Sequence, residues 1–269
     1  VATAVPRSGW AEQNAEDWWR GVCSNTRELA VRVPDLASRV VGMGVSGHML
    51  GCLPVDGDCR PLRPSLIHSD CRAEEEQQRV EEAVGSEKLY RVTGNLLDSR
   101  SPLCKILWLR RNEPDVYART VRFLQAKDFV TARLIGDLDT GDYSDACHAQ
   151  WLDVARKDYA HDVLEALGVD VAKLPTLRRG VDVAGRLTLE SARQLGLSSG
   201  IPVVAGGGDG ACATVGAGAV AAGTGYCCLG TTAWAACTAG QLVIDSEHRI
   251  FNICNLDGET TMGLGTIQS

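Results

Sequence analysis

The run Ile201-Pro202-Val203-Val204-Ala205-Gly206-Gly207-Gly208-Asp209-Gly210-Ala211-Cys212-Ala213-Thr214-Val215-Gly216 constrains the fold more than any other part of the chain. A short apolar strand empties into three glycines, an aspartate follows, and a helix of small residues begins at once. Three consecutive glycines remove every Cβ from the turn, so a backbone or a ligand can approach it closely. Asp209 then falls at or near a helix N-terminus, where the dipole and orphan N–H groups favour its charge. A carboxylate held ionised at the mouth of a glycine-lined cleft suits a general base that takes a proton from a hydroxyl.

The letters Gly206-x-Gly208-x-x-Ala211 also fit the dinucleotide-binding fingerprint. An aspartate inside that loop would face the pyrophosphate it is meant to cradle. No Asp or Glu lies between Asp209 and Asp245 to hold a ribose. The fingerprint fails on both counts. A loop that only packs a helix on a sheet stays open on this motif alone.

With 269 residues, 45% of them hydrophobic and 23% charged, the chain can bury a substantial core. A net charge of −7 argues against nucleic acid as the principal ligand. No apolar stretch reaches the length of a membrane span, and no secretory signal pattern is visible. The eleven cysteines form no Cys-x-x-Cys pair, and the five histidines join them in no zinc-type cluster. Cys212, Cys228 and Cys237 sit among small residues and read as buried hydrophobes. Free thiols of this kind point to a reducing cytoplasmic setting.

Helix and strand signals alternate along the chain. Asn14 caps a helix whose apolar face would carry Trp18, Val22, Thr26 and Leu29. Residues 40–45 read as a buried strand, 52–55 as its continuation, and Asp56-Gly57 as a hairpin turn. Glu74, Glu75, Glu76 and Arg79 mark a helix with a solvated face. Residues 103–109, 123–135 and 159–167 read as helices, and 139–145 as an acidic, irregular loop. Short strands follow at 226–229, 234–237 and 249–254. Between the first two lies Gly230-Thr231-Thr232-Ala233, a tight hairpin with N–H groups and two hydroxyls that can hold an anion. An aspartate-bearing glycine loop followed by such a hairpin suggests phosphoryl transfer. No Walker A sequence and no His-Arg-Asp triplet is present, so the architecture is not that of a P-loop enzyme or a protein kinase.

Several spaced motifs, in order, resemble the FGGY carbohydrate kinases, in their xylulokinase-like branch. Gly9-Trp10-Ala11-Glu12-Gln13-Asn14-Ala15-Glu16-Asp17-Trp18-Trp19 is similar to the family's entry to its first helix. Ser46-Gly47-His48-Met49-Leu50-Gly51 resembles the sugar-contacting "SGQMHG" loop, with His48 in place of Gln and Leu50 in place of His. His68-Ser69-Asp70-Cys71-Arg72 corresponds to "W-N/A-D-x-R", and Tyr143-Ser144-Asp145-Ala146 to "YSDA". Gly206-Gly207-Gly208-Asp209 matches "GGGD", and Leu229-Gly230-Thr231-Thr232 matches "LGTS".

The resemblance implies an α/β, actin-like/ribonuclease H-like ATPase fold with two domains and a cleft between them. Residues 1–218 would be the N-terminal sugar-binding domain, and 219–269 the start of the C-terminal nucleotide-binding domain. It implies Asp209 as catalytic base, with His48, Met49, Asp70 and Gly210 at the substrate. Gly230, Thr231 and Thr232 would hold phosphate, ATP and Mg²⁺ would be the cofactors, and no residue is assigned to a metal. For Asp70, bonding to the adjacent backbone or to Arg72 is the alternative to sugar contact. The implied reaction is γ-phosphoryl transfer to a hydroxyl of a sugar or polyol, a xylulose-like ketose foremost. The changes at His48 and Leu50 leave the particular sugar open. A homodimer is left open, and neither nucleic acid nor membrane is expected as a partner.

The family's opening "DxGTxxxK" hairpin and its adenosine segment have no counterpart in the sequence. The expectation is therefore a fragment cut at both ends, with a truncated second domain, inactive alone and a poor ligand for ATP. The alternative function is a non-catalytic sugar-binding remnant or an inactive truncated piece of such a kinase.

Overall fold

The computed structural model describes residues 1–229 and 233–268. The first helix, Ala15–Arg32, is capped by the Asn14 side chain, which accepts from the Glu16 N–H. Glu16 and Asp17 in its first turn and Arg32 in its last complement the macrodipole. The buried face is Ala15, Trp19 and Cys23, about 100° round from the expected stripe. Leu29 is exposed. The difference follows from Trp19, whose ring is buried while its Nε1–H donates to Gln194 Oε1 at 2.7 Å.

Two of the expected helices start later than the apolar pattern suggests. The strand Arg122–Leu124 pairs antiparallel with Leu53–Val55 before the helix Ala126–Ile135 begins at a Gln125/Asp128 capping box. Asp158–Tyr159 likewise pairs with Leu152–Asp153, and the helix is His161–Ala166. Pro102–Asn112 opens with Ser101 accepting from Cys104 N–H and with proline in its first turn. The charged helix Glu74–Val84 forms, but Glu76 is buried against Arg111 rather than solvated. The Asp56 turn forms as expected, its carboxylate accepting from Asp58 and Arg60 N–H groups.

Residues 40–45 are not a buried strand. Val41 is 85% exposed, Met43 makes one parallel bridge to Val203, and regular pairing is confined to Ser46–Gly47. Residues 139–145 are not an irregular loop. Gly141–Asp142 pairs parallel with Leu177–Arg178 and runs into the helix Tyr143–His148, with Asp142, Ser144 and Asp145 buried.

One core joins the helices Glu74–Val84, Pro102–Asn112 and His161–Ala166 through Val80, Leu103, Ile106, Leu109 and Leu164. A second joins Ala15–Arg32 and Ala126–Ile135 through Trp19, Phe129 and Leu134, with Val203 beneath the glycine run. A third, smaller cluster of Met49, Ala211, Ala236, Ile253 and Met262 lies where the C-terminal sheet meets the glycine run. That sheet is antiparallel, in the order Gly225–Leu229, Ala233–Ala239, Thr261–Gln268, Phe251–Cys254. Its strand Thr261–Gln268 has no counterpart among the expected elements.

All eleven cysteines are free. Cys237 is exposed and Cys212 and Cys228 are only partly buried, contrary to expectation, because they lie on incompletely covered elements. Cys23, Cys52, Cys104, Cys147 and Cys254 are the buried ones. Among the described residues no helix is long and apolar enough to cross a membrane.

Candidate functional site

The glycine run pairs along one neighbouring segment. Gly207–Gly208 forms a parallel pair with Ser46–Gly47, in the register Gly207 to Ser46 and Gly208 to Gly47. Gly206 has φ +75°, and a Cβ there would overlap the Val45 carbonyl oxygen. Gly208 caps the helix Asp209–Gly216, so Asp209 is its first residue, as its sequence position implies. The Asp209 side chain is exposed, and Oδ1 accepts from the Gly210 N–H at 2.9 Å.

The paired segment continues into His48, Met49 and Leu50. Met49 is buried against the glycine run: a Cβ on Gly208 would come 2.6 Å from its Sδ. His48 lies edge-on to Trp18 and His68, with ring centroids 5.4 and 5.7 Å away. Both its ring nitrogens are buried without a hydrogen-bond partner. Burial lowers its pKa, and the Met49 backbone and the nearby Asp209 charge only partly offset this, so the neutral ring is favoured. His48, Met49, Gly210 and Asp209 are therefore brought to one place.

Asp70 is not free at that place. It is fully buried, and Oδ2 accepts from the Ala11 N–H at 2.6 Å while both oxygens bind Arg72. The Arg72 guanidinium lies 3.7 Å from the Trp10 ring centroid and also reaches Glu12 at 2.7 Å. Of the two roles open for Asp70 in the sequence, this is the local one. The carboxylate braces the segment after Ile67. Gly230, Thr231 and Thr232 lie outside the described residues.

Four supporting residues were not legible as site residues. Lys105, fully buried, donates to Leu50 O at 2.8 Å and to Ile67 O at 2.7 Å, tying together the segments that carry His48 and His68. Gln125 accepts from the Gly51 N–H at 3.2 Å and donates to Asp145 O at 3.2 Å. Lys127 and Asp142 lie deeper. Lys127 contacts Asp128, reaches Asp142 Oδ1 at 3.0 Å and Asp145 Oδ2 at 3.5 Å, and all four side chains are buried. Asp142 caps the helix Tyr143–His148 by accepting from the Ser144 and Asp145 N–H groups.

Burial acts to lower the Lys127 pKa, but the three carboxylates outweigh it and hold it well above the ordinary value. Burial also pushes the Asp145 carboxyl well above its usual range, against the pull of Lys127. Among the described residues, Asp128, Asp142 and Asp145 form the one group with donor atoms close enough to hold an ion. The Lys127 ammonium already stands among them, so the donor set suits an internal cation rather than Mg²⁺. The signal in the sequence was Lys127-Asp128 at the head of a largely apolar helix.

Residues 1–216 match the model of the N-terminal domain of the FGGY family of carbohydrate kinases. A xylulose kinase of Klebsiella pneumoniae is 33% identical over 95% of this chain and 52% of its own length. One of Escherichia coli is 31% identical over 95% of this chain and 51% of its own. A crystal structure of a "xyloylose kinase" from Brucella ovis superposes with TM-score 0.93 at 28% identity, covering 100% of this chain and 55% of that one. A Plasmodium falciparum glycerol kinase, at 16% identity and TM-score 0.88, covers 99% of this chain and 55% of its own, and shares the fold.

The expectation of a cut fragment with a truncated second domain is corrected to this extent: the fold is matched over 100% of this chain and 55% of the solved one. The whole of the chain lies on the fold of these kinases, of the α/β, actin-like/ribonuclease H-like class. The chain spans about half the length of the curated relatives it matches.

Proposed function

The chain belongs to the FGGY family of carbohydrate kinases, and from that membership we propose that it transfers the γ-phosphoryl group of ATP to a hydroxyl of a sugar or polyol. A xylulose-like ketose is the first choice of acceptor, since the relatives compared above bear the name xylulose kinase. The observation that carries the reading is the exposed Asp209 carboxylate at a helix start, next to a neutral His48 with two unpartnered nitrogens.

In this reading the acceptor hydroxyl lies against Asp209. As its oxygen forms a bond to the γ-phosphorus, the bond from that phosphorus to the departing ADP oxygen breaks, and the proton passes to the carboxylate. Such transfers depend mainly on positioning and electrostatics, with the base orienting the nucleophile. A neutral His48 accepts through one ring nitrogen and donates through the other, which suits a pair of sugar hydroxyls. Met49 supplies an apolar floor beside Gly210. Asp70 acts from behind, through the segment that it braces.

Gly230, Thr231 and Thr232 are proposed as the phosphate hairpin on the strength of the sequence resemblance. Mg²⁺, when bound with ATP, neutralises charge on the phosphates. None of the described residues is assigned to it, because the carboxylate triad is filled by Lys127. A domain boundary near residue 218 is also proposed, supported by the family match that ends at 216.

Asp209→Asn in the full gene product removes the base with little change of shape. We expect kcat to fall by about 10²-fold or more, measured with ATP, Mg²⁺ and a panel of ketoses, aldoses and polyols. Near wild-type turnover in that variant would sink the assignment.

A further inference from the structure

We infer that Ser144, held by Asp142 and Lys127, is a positioning residue for Asp209, setting turnover rather than sugar affinity. The inference rests on the reading of Asp209 as the base.

Gly207 and Gly208 have no side chains with which to anchor themselves, and glycine loses more backbone freedom on ordering than any other residue. Something external must fix the peptide from which Asp209 projects. The Gly208 N–H donates to Ser144 Oγ at 2.9 Å, in a buried contact. The Ser144 hydroxyl donates to Asp142 Oδ2, and the Ser144 N–H donates to the same oxygen at 2.7 Å. Lys127 Nζ meets the other oxygen of Asp142 at 3.0 Å.

The direction of this line is determined. A serine hydroxyl is both donor and acceptor. With its proton committed to Asp142, it presents lone pairs to Gly208. Asp142 is fixed in turn by a fully buried ammonium. The chain of contacts therefore runs from the glycine peptide to a buried charge pair, and ends one residue before the carboxylate that is to take the proton. The sugar-facing groups His48 and Met49, though packed beside the glycine run, have further holds of their own, from Lys105 and Gln125 acting on Leu50 and Gly51. Losing the Ser144 contact should thus loosen the base without unseating the sugar loop.

The test is a double-mutant cycle on the full gene product, with kcat and the sugar KM measured for Ser144→Ala, Asp209→Asn and the pair. Ser144→Ala should lower kcat about 10- to 100-fold, as small misplacements of reacting groups do, and leave KM unchanged. Ser144→Thr keeps the hydroxyl and should restore most of the rate. In the Asp209→Asn background Ser144→Ala should cost nothing more, because residues acting as one unit are non-additive.

If Ser144→Ala turns over like wild type, or costs the same factor in both backgrounds while Asp209→Asn is impaired, the inference fails and the kinase reading stands. If Asp209→Asn itself turns over normally, the reading fails and takes the inference with it. Should Ser144→Ala not fold, amide exchange in the wild-type protein decides. A Gly208 amide that exchanges only on global unfolding supports the contact, and one that exchanges at the rate of an exposed loop overturns it.

Discussion

At Gly206 no other residue can be accommodated without strain. Its φ is +75°, in the left-handed region, and the direction a side chain would take is filled by the Val45 carbonyl. Gly206→Ala should lower the unfolding free energy by about 2 kcal/mol or more, from the backbone penalty and the overlap together. Urea unfolding with an unchanged m-value would check it. This residue and Asp209 were legible because glycine and a following acid state their own geometry. Lys127 and Asp142 were not, because a charged letter in a sequence reads as solvated. Only the fold shows that the four side chains share one buried space. Asp70 lies between these cases: Arg72, two residues on, was visible as a partner, but not the burial that closes the pair off from solvent.

Between elements, Lys105 is the connection with the most consequence. It sits in the buried part of Pro102–Asn112 and joins Leu50 to Ile67 through their carbonyls. Lys105→Met leaves two buried acceptors without a donor, and should cost about 2–5 kcal/mol of stability. Burial also lowers the Lys105 pKa from 10.5 to about 8. Because the folded value lies below the unfolded one, the unfolded chain binds more protons between pH 8 and 10.5. The wild type should therefore gain stability from this group as pH rises through that window, and Lys105→Met should lose that gain. Denaturant titrations at pH 7.5 and 9.5, chosen about that window, would show it. Ala15–Arg32 was legible from its Asn14 cap, though not its buried face, and Pro102–Asn112 from its apolar run. The two-residue strands Ser46–Gly47 and Gly207–Gly208 were not, since their pairing is a fact about distant partners.

For the molecule as a whole, acid stability should carry a histidine signature. Burial lowers the His148 pKa from 6.5 to about 4, and its Nδ1 is enclosed without a partner. The unfolded chain binds the proton more readily, so this contribution is complete above pH 6.5 and is lost as pH falls toward 4. Its size is on the order of 3 kcal/mol. His48, also lowered, acts with the same sign. Asp128 and Asp145, whose values are raised, oppose it. Comparing wild type with His148→Gln across this range separates the terms, and the variant should show the shallower loss.

The parallel pairing of Ser46–Gly47 with Gly207–Gly208 also has a temporal side. The strand pairing that shapes the glycine turn comes from far along the sequence, and Ser144, 64 residues from Gly208, adds a second distant hold. Closing such loops costs chain entropy before any contact repays it, which makes long-range pairings slow to form. Helices such as Ala15–Arg32 can begin from local signals, whereas the pairing that fixes the turn carrying Asp209 cannot. The residues that would recognise a substrate and the residue that would act on it thus exist on the nascent chain well before they can meet. Competence arrives with the closing of that loop.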